Sequence, residues 1–130
     1  MYTNTLTLNN NIKIPQLGLG TWFIDDANVA EAVKAAATLG YRHFDTAQAY
    51  GNERGVGEGI QNCGISREEL FVVSKVAAEH KTYEDAKQGI DETLKKMGLD
   101  YLDMMIIHSP QPWKTIQRLT LKSRQKIWKF

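Results

Sequence analysis

Thr5-Leu6-Thr7-Leu8 alternates polar and apolar residues, Asn9-Asn10-Asn11 interrupts, and Ile12-Lys13-Ile14 alternates again. Period-two alternation on both sides of asparagines, which tolerate positive φ, predicts a short β-hairpin that Pro15 ends. From Leu17 a different rhythm begins and repeats. Leu17-Gly18-Leu19-Gly20 reads as a short apolar strand, with Thr21-Trp22-Phe23-Ile24 as a loop. Asp25 or Asp26 is placed to cap a helix with Val29, Val33, Ala36 and Ala37 on its apolar side, closing at Gly40. The strand Tyr41-Arg42-His43-Phe44-Asp45 follows. A helix is expected over about 53–62, stopped by Gly64 and weakened by Gly55, Gly57 and Gly59.

The second half of the pattern is similar. Ser66-Arg67-Glu68-Glu69 has capping-box spacing and predicts a short turn. Leu70-Phe71-Val72-Val73-Ser74-Lys75 is apolar at consecutive positions, as buried parallel strands are. Thr82-Tyr83-Glu84-Asp85 resembles a second capping box, opening a helix with Ala86, Ile90, Leu94 and Met97 on one face and Gly98 at its end. Met104-Met105-Ile106-Ile107 is the fourth strand, ending at His108. The strand ends near Gly20, Asp45, Lys75 and His108 are 25, 30 and 33 residues apart, the size of a βαβ unit. Such alternation implies a parallel sheet with right-handed helical crossovers. Periodicity alone leaves a barrel segment and an open doubly wound sheet both standing. The first turn lacks the third glycine of a dinucleotide-binding fingerprint, and no phosphate-cradling Gly-Lys-Ser/Thr turn occurs.

Composition narrows the class. The 130 residues are 42% hydrophobic and 24% charged with a net charge of +1, which argues against a disordered chain and gives no global reason for a nucleic-acid partner. A single cysteine, Cys63, excludes an internal disulfide framework and fits a reducing compartment. No apolar run approaches the ~18 residues of a membrane span. Residues 1–4 carry no basic region before an apolar stretch, so the expected address is cytoplasmic. Charge is uneven, however. Lys114, Arg118, Lys122, Arg124, Lys126 and Lys129 follow Trp113 with no acidic residue among them, leaving residues 1–113 net acidic.

Each strand ends in a chemically pointed residue. The carboxyl ends of parallel strands share one edge, so Asp45, Tyr50, Lys75 and His108 would line one pocket. Such a group suits proton transfer coupled to carbonyl reduction. A phenol with its ordinary pKa of about 10 is too weak an acid near neutrality, and a nearby ammonium strengthens it by stabilising the phenolate. A carboxylate holds the ammonium in place, and an imidazole orients a substrate oxygen. The hydride has to come from a reduced nicotinamide.

Residues 41–53, Tyr41-Arg42-His43-Phe44-Asp45-Thr46-Ala47-Gln48-Ala49-Tyr50-Gly51-Asn52-Glu53, closely resemble the long signature of the aldo-keto reductases. Gly18-Leu19-Gly20-Thr21-Trp22, Val73-Ser74-Lys75-Val76, Asp100-Tyr101-Leu102-Asp103 and Ile107-His108-Ser109-Pro110 resemble its other early motifs, over roughly residues 5–113. The resemblance implies a TIM barrel that reduces aldehydes and ketones with NADPH, its partner a small-molecule carbonyl compound rather than nucleic acid or membrane. By that resemblance Tyr50 is the proton donor, Lys75 assists it, Asp45 pairs with Lys75, and His108 orients the carbonyl. Gly20, Thr21 and Asp45 match positions near the nicotinamide, and Trp22, His108 and Trp113 match the substrate pocket. His43 is read as facing solvent or a helix, and His80 as part of a polar stretch. Cys63 has no base near it in sequence, and no spacing suggests a metal site.

The resemblance divides the chain into residues 1–113, the N-terminal half of such a barrel with about four βα units behind its hairpin, and a divergent basic tail, 114–130. A shifted reading frame, a divergent basic helix with Ile116, Leu119, Ile127 and Phe130 in a stripe, and a membrane-binding segment are the readings of that tail. The expectation is a truncated chain lacking the family's later cofactor contacts. The rival expectation is a non-catalytic remnant or interaction module that self-associates through open sheet edges.

Overall fold

The computed structural model describes residues 4–110; Trp113 and the basic tail, 114–130, lie outside the described residues. The hairpin forms as the alternation predicts. β1 (Thr5–Thr7) and β2 (Lys13–Pro15) pair antiparallel with Leu6 opposite Ile14, and Asn11 supplies the positive φ of the turn, +65°.

β3 (Leu19–Gly20), β4 (His43–Asp45), β5 (Phe71–Val76) and β6 (Met104–Ile107) make one parallel sheet in the order β3-β4-β5-β6. Sequential order decides between the two architectures that periodicity left standing. A doubly wound sheet reverses its strand order at a switch point, whereas a barrel adds each strand beside the last. The sheet here is a sector of a barrel. Its register sets Gly20 beside Asp45, Asp45 beside Val73, and Lys75 beside Ile106, so the carboxyl ends of all four strands form one rim.

α1 (Val29–Thr38), α2 (Glu53–Asn62) and α3 (Tyr83–Met97) cover the outer face. Val29, Val33, Phe44, Val56, Ile60, Val72 and Met97 form the core between helices and sheet. Side chains alternate along a strand. With Phe44 and Val72 facing the helices, Asp45 and Lys75 therefore point to the inner face.

Four local expectations change. Gly55, Gly57 and Gly59 are not weaknesses of α2 but its packing surface. A Cβ at Gly59 would stand 2.7 Å from Val33 Cβ on α1, and one at Gly57 would overlap the backbone of Met97. Asp26 does not cap α1. Its Oδ1 accepts from the amide of Gly55 at 2.8 Å, in the first turn of α2, and its Oδ2 pairs with Arg54 at 2.7 Å. The most buried positions of α3 are Gly89, Thr93 and Met97 rather than the predicted Ala86, Ile90 and Leu94. The helix turns its small and hydroxyl residues inward because a polar network waits there. Thr82 caps this helix as expected, its hydroxyl accepting from Asp85 N at 3.1 Å. His43 is also not a solvent residue. Its Nδ1 lies 3.1 Å from the carbonyl of Pro15 and its ring stands edge-on to Phe71 at 5.4 Å, tying the hairpin to β4.

Candidate active site

The rim residues are positioned by strand ends and by the loops that leave them. Lys75 Nζ donates to Asp45 Oδ1 at 2.5 Å and to the carbonyl of Thr46 at 2.8 Å, its side chain only 12% exposed. After Asp45 the chain turns through a single 3₁₀ turn, Gln48–Tyr50, ended by Gly51 at φ +72°, a left-handed conformation that glycine adopts without strain. The turn places the ring of Tyr50 under the Lys75 ammonium, 5.0 Å from nitrogen to ring centre. His108 leaves β6 with its amide bonded to Val76 O, and its ring meets that of Tyr50 edge-on at 5.5 Å. Trp22 also stacks on Tyr50, ring centres 6.2 Å apart. Trp22, Ala49, Tyr50 and His108 line a cavity of about 320 Å³.

The structure thus brings Asp45, Tyr50, Lys75, His108 and Trp22 together at one mouth. Gly20 lies on the same rim, exposed, with open space where a Cβ would project. Thr21 differs in kind. It is fully buried, and its hydroxyl and amide both donate to Asp45 O, at 3.1 and 3.0 Å. It braces the turn after β3 instead of presenting a free group. Among the described residues, neither the Tyr50 hydroxyl nor the His108 ring nitrogens has a protein hydrogen-bond partner.

A supporting layer lay outside the residues singled out from sequence. Gln48 Oε1 accepts from Ala77 N at 2.7 Å, and its Nε2 donates to Thr93 at 3.2 Å. Buried Glu53 accepts from Ser74 at 2.7 Å and Thr93 at 3.0 Å through Oε1, linking α2, β5 and α3. Asn52 ties Thr46 to the loop after β3. The available signal was polarity out of place: Ser74 interrupts an apolar strand, and Thr93 lies where α3 should be apolar. The Cys63 thiol donates to Ile60 O at 3.3 Å. No cluster of metal-binding side chains and no helix long and apolar enough to cross a membrane occurs among the described residues.

The His108 pKa is pushed below its ordinary 6.5, first by burial and then by the positive charge of Lys75, with Asp45 opposing. The imidazole is therefore neutral at neutral pH. Because the folded value lies below the unfolded one, the unfolded chain takes up this proton first as pH falls. The stability contributed by neutral His108 is present above 6.5 and lost on acidification through the folded value. A proton NMR titration should give a His108 midpoint below 6.5, and His108→Asn should flatten that part of the stability profile. A midpoint above 6.5 would contradict this account.

Comparison with known proteins bears on what such a mouth belongs to. Residues 16–130 match the model of the aldo/keto reductase family. The chain is 42% identical over 123 residues to a 9,11-endoperoxide prostaglandin H2 reductase of Trypanosoma cruzi, covering 89% of this chain and 44% of that protein. It is equally identical to a glyoxal reductase of Bacillus subtilis (89% and 45%), and 44% identical over 111 residues to a D/L-glyceraldehyde reductase of Hypocrea jecorina (82% and 34%). A solved aldo/keto reductase of Brucella melitensis superposes with a TM-score of 0.83 at 41% identity, over 98% of this chain and 48% of that one. The chain thus spans less than half the length of these relatives. It belongs to the aldo/keto reductase family, and its four-stranded sheet is part of that family's barrel.

Proposed function

We propose that this chain carries the proton-transfer site of an NADPH-dependent reductase of small aldehydes or ketones, with Tyr50 as proton donor. The observation that supports this most is the Tyr50 hydroxyl, without a protein partner among the described residues, beside neutral His108, over a mouth walled by Trp22, with Lys75 and Asp45 paired behind it. In this reading His108 hydrogen-bonds the carbonyl oxygen and orients it. Tyr50 gives that oxygen its proton as negative charge develops there. The Lys75 ammonium compensates the phenolate left behind, and Asp45 with Thr46 O fixes the ammonium in place.

The rim also fits a nicotinamide. Open space above Gly20 leaves room for a flat ring, and Asp45 Oδ2 has no protein partner among the described residues. Gly20 and Asp45 would hold that end of the cofactor, with Thr21 bracing the turn between them. When bound, the reduced nicotinamide supplies the hydride. Trp22 and, from outside the described residues, Trp113 would flank the substrate in a cytoplasmic enzyme.

Residues 1–113, grafted onto the C-terminal half of an active relative, should consume NADPH when given glyoxal or glyceraldehyde, followed by nicotinamide absorbance. A folded, soluble chimera that turns over neither would overturn the reading. The second reading, a non-catalytic module pairing with a second copy, is favoured by Ile106 and Ile107, 40% and 49% exposed on the outermost strand. Light scattering of the 130-residue chain separates the two: concentration-dependent dimers without NADPH binding support the module.

A further inference from the structure

Asn52 is fully buried, and each side of its amide is used. Its Oδ1 accepts from Thr46 Oγ1 at 2.9 Å, while Nδ2 donates to the carbonyls of Thr21 and Ile24, both at 2.8 Å. Only this orientation of the amide serves a hydroxyl and two carbonyls at once. The two carbonyls bracket Trp22 and Phe23. Phe23 stands at φ +64°, a region unfavourable for any residue with a Cβ, and core packing does not hold it there, since it is 86% exposed. Its ring stacks on Trp22 at 4.4 Å, and Trp22 in turn stacks on Tyr50. On its other side, Asn52 grips Thr46, whose carbonyl takes the Lys75 ammonium. One buried amide therefore joins the aromatic wall of the mouth to the segment that carries Asp45 and receives Lys75.

We propose that Asn52 is a positioning residue for substrate selection. It holds the turn through Trp22 and Phe23 in its strained form and so keeps Trp22 standing against Tyr50. The consequence for substrates rests on the carbonyl-reductase reading; the clamp itself does not. Removing the two donors frees the wall and weakens the hold on substrates large enough to lean on it. A small aldehyde that reaches only Tyr50 and His108 is affected less.

The test uses the 130-residue chain with Trp113→Phe and Trp128→Phe, which leaves Trp22 as its sole tryptophan. Time-resolved anisotropy then reads the nanosecond motion of that ring. Asn52→Asp keeps the acceptor for Thr46 but turns both donors into an oxygen facing two carbonyls, so the amplitude of Trp22 motion should rise. Thr46→Val breaks the other hydrogen bond of the same buried amide and should leave Trp22 as it was. Equal effects of the two variants, or none from Asn52→Asp, would overturn the clamp. Adding Phe23→Gly, which adopts positive φ without strain, should recover part of the Tm lost by Asn52→Asp. If Asn52→Asp alone does not fold, the double variant should; failure of both also overturns the proposal.

In the chimera, Asn52→Asp should raise KM for an aromatic aldehyde about 2- to 10-fold, the worth of one lost aromatic contact. The kcat for glyoxal should change far less. An unmoved KM alongside a loosened Trp22 would overturn the substrate-selection role while leaving the clamp. If the unsubstituted chimera reduces no aldehyde, the carbonyl-reductase reading fails, and the anisotropy still decides the clamp.

Discussion

Tyr50→Phe, made in the chimera, is expected to lower kcat for carbonyl reduction by about 10²–10⁴, the usual worth of a positioned proton donor. NADPH affinity should stay close to that of the parent. The expectation follows from which contacts the substitution spares. The ring is held by Trp22 on one side, His108 at its edge and Lys75 above, and none of these needs the hydroxyl. The hydroxyl itself has no protein partner among the described residues, so removing it leaves no buried group unsatisfied. The loss should appear in kcat and kcat/KM together, the pattern of an interaction made only in the transition state. Most activity surviving in the Phe variant would assign the proton elsewhere, and a lowered Tm would show that the hydroxyl has a structural role.

Gly57→Ala should be strongly destabilising although it adds only one methyl group. Alanine in place of glycine favours an exposed helix by about 1 kcal/mol. Here the added methyl would overlap the backbone of Met97 at the end of α3, and Met97 is only 1% exposed. Backbone cannot swing aside as a side chain does, so overpacking outweighs propensity. A net loss of about 3 kcal/mol is expected, lowering Tm by roughly 10 °C. Gly20→Ala is the control, because its Cβ meets nothing within 4 Å, and its Tm should match the parent. A stabilised Gly57→Ala chain would mean that α2 and α3 are not packed as described.

The strands and helices were legible because their apolar spacing is strong and their ends are marked by Asn11, Gly40, Thr82 and Gly98. The site residues were legible for a different reason. A parallel sheet converts distant strand ends into neighbours, so Asp45, Lys75 and His108 could be placed on one rim without knowledge of any side-chain contact. What stayed hidden was partnership across the fold. Asp26 read as the cap of the helix that follows it, yet its carboxylate serves α2, 29 residues further on. Gly55, Gly57 and Gly59 read as helix-weakening because local propensity knows nothing of α1 and α3 pressing on them. Asn52 and Glu53 sat in plain view within the signature, but nothing in the spacing says which loop carbonyl or strand hydroxyl each would find. Periodicity also could not anticipate that Thr93 would turn inward to meet a buried carboxylate.

The loop leaving β3 is held at both ends by α2 and the residue before it: Asn52 grips Thr21 and Ile24, and Gly55 with Arg54 grips Asp26. Surface loops ordinarily tolerate added residues, since doubling a loop's length costs only about 0.6 kcal/mol of closure entropy. This loop has no such slack. A residue inserted between 21 and 26 pulls either two carbonyls off a buried amide or a carboxylate off the start of a helix. Divergence on this side of the mouth therefore proceeds by exchanging side chains at Trp22 and Phe23 on a loop of fixed length.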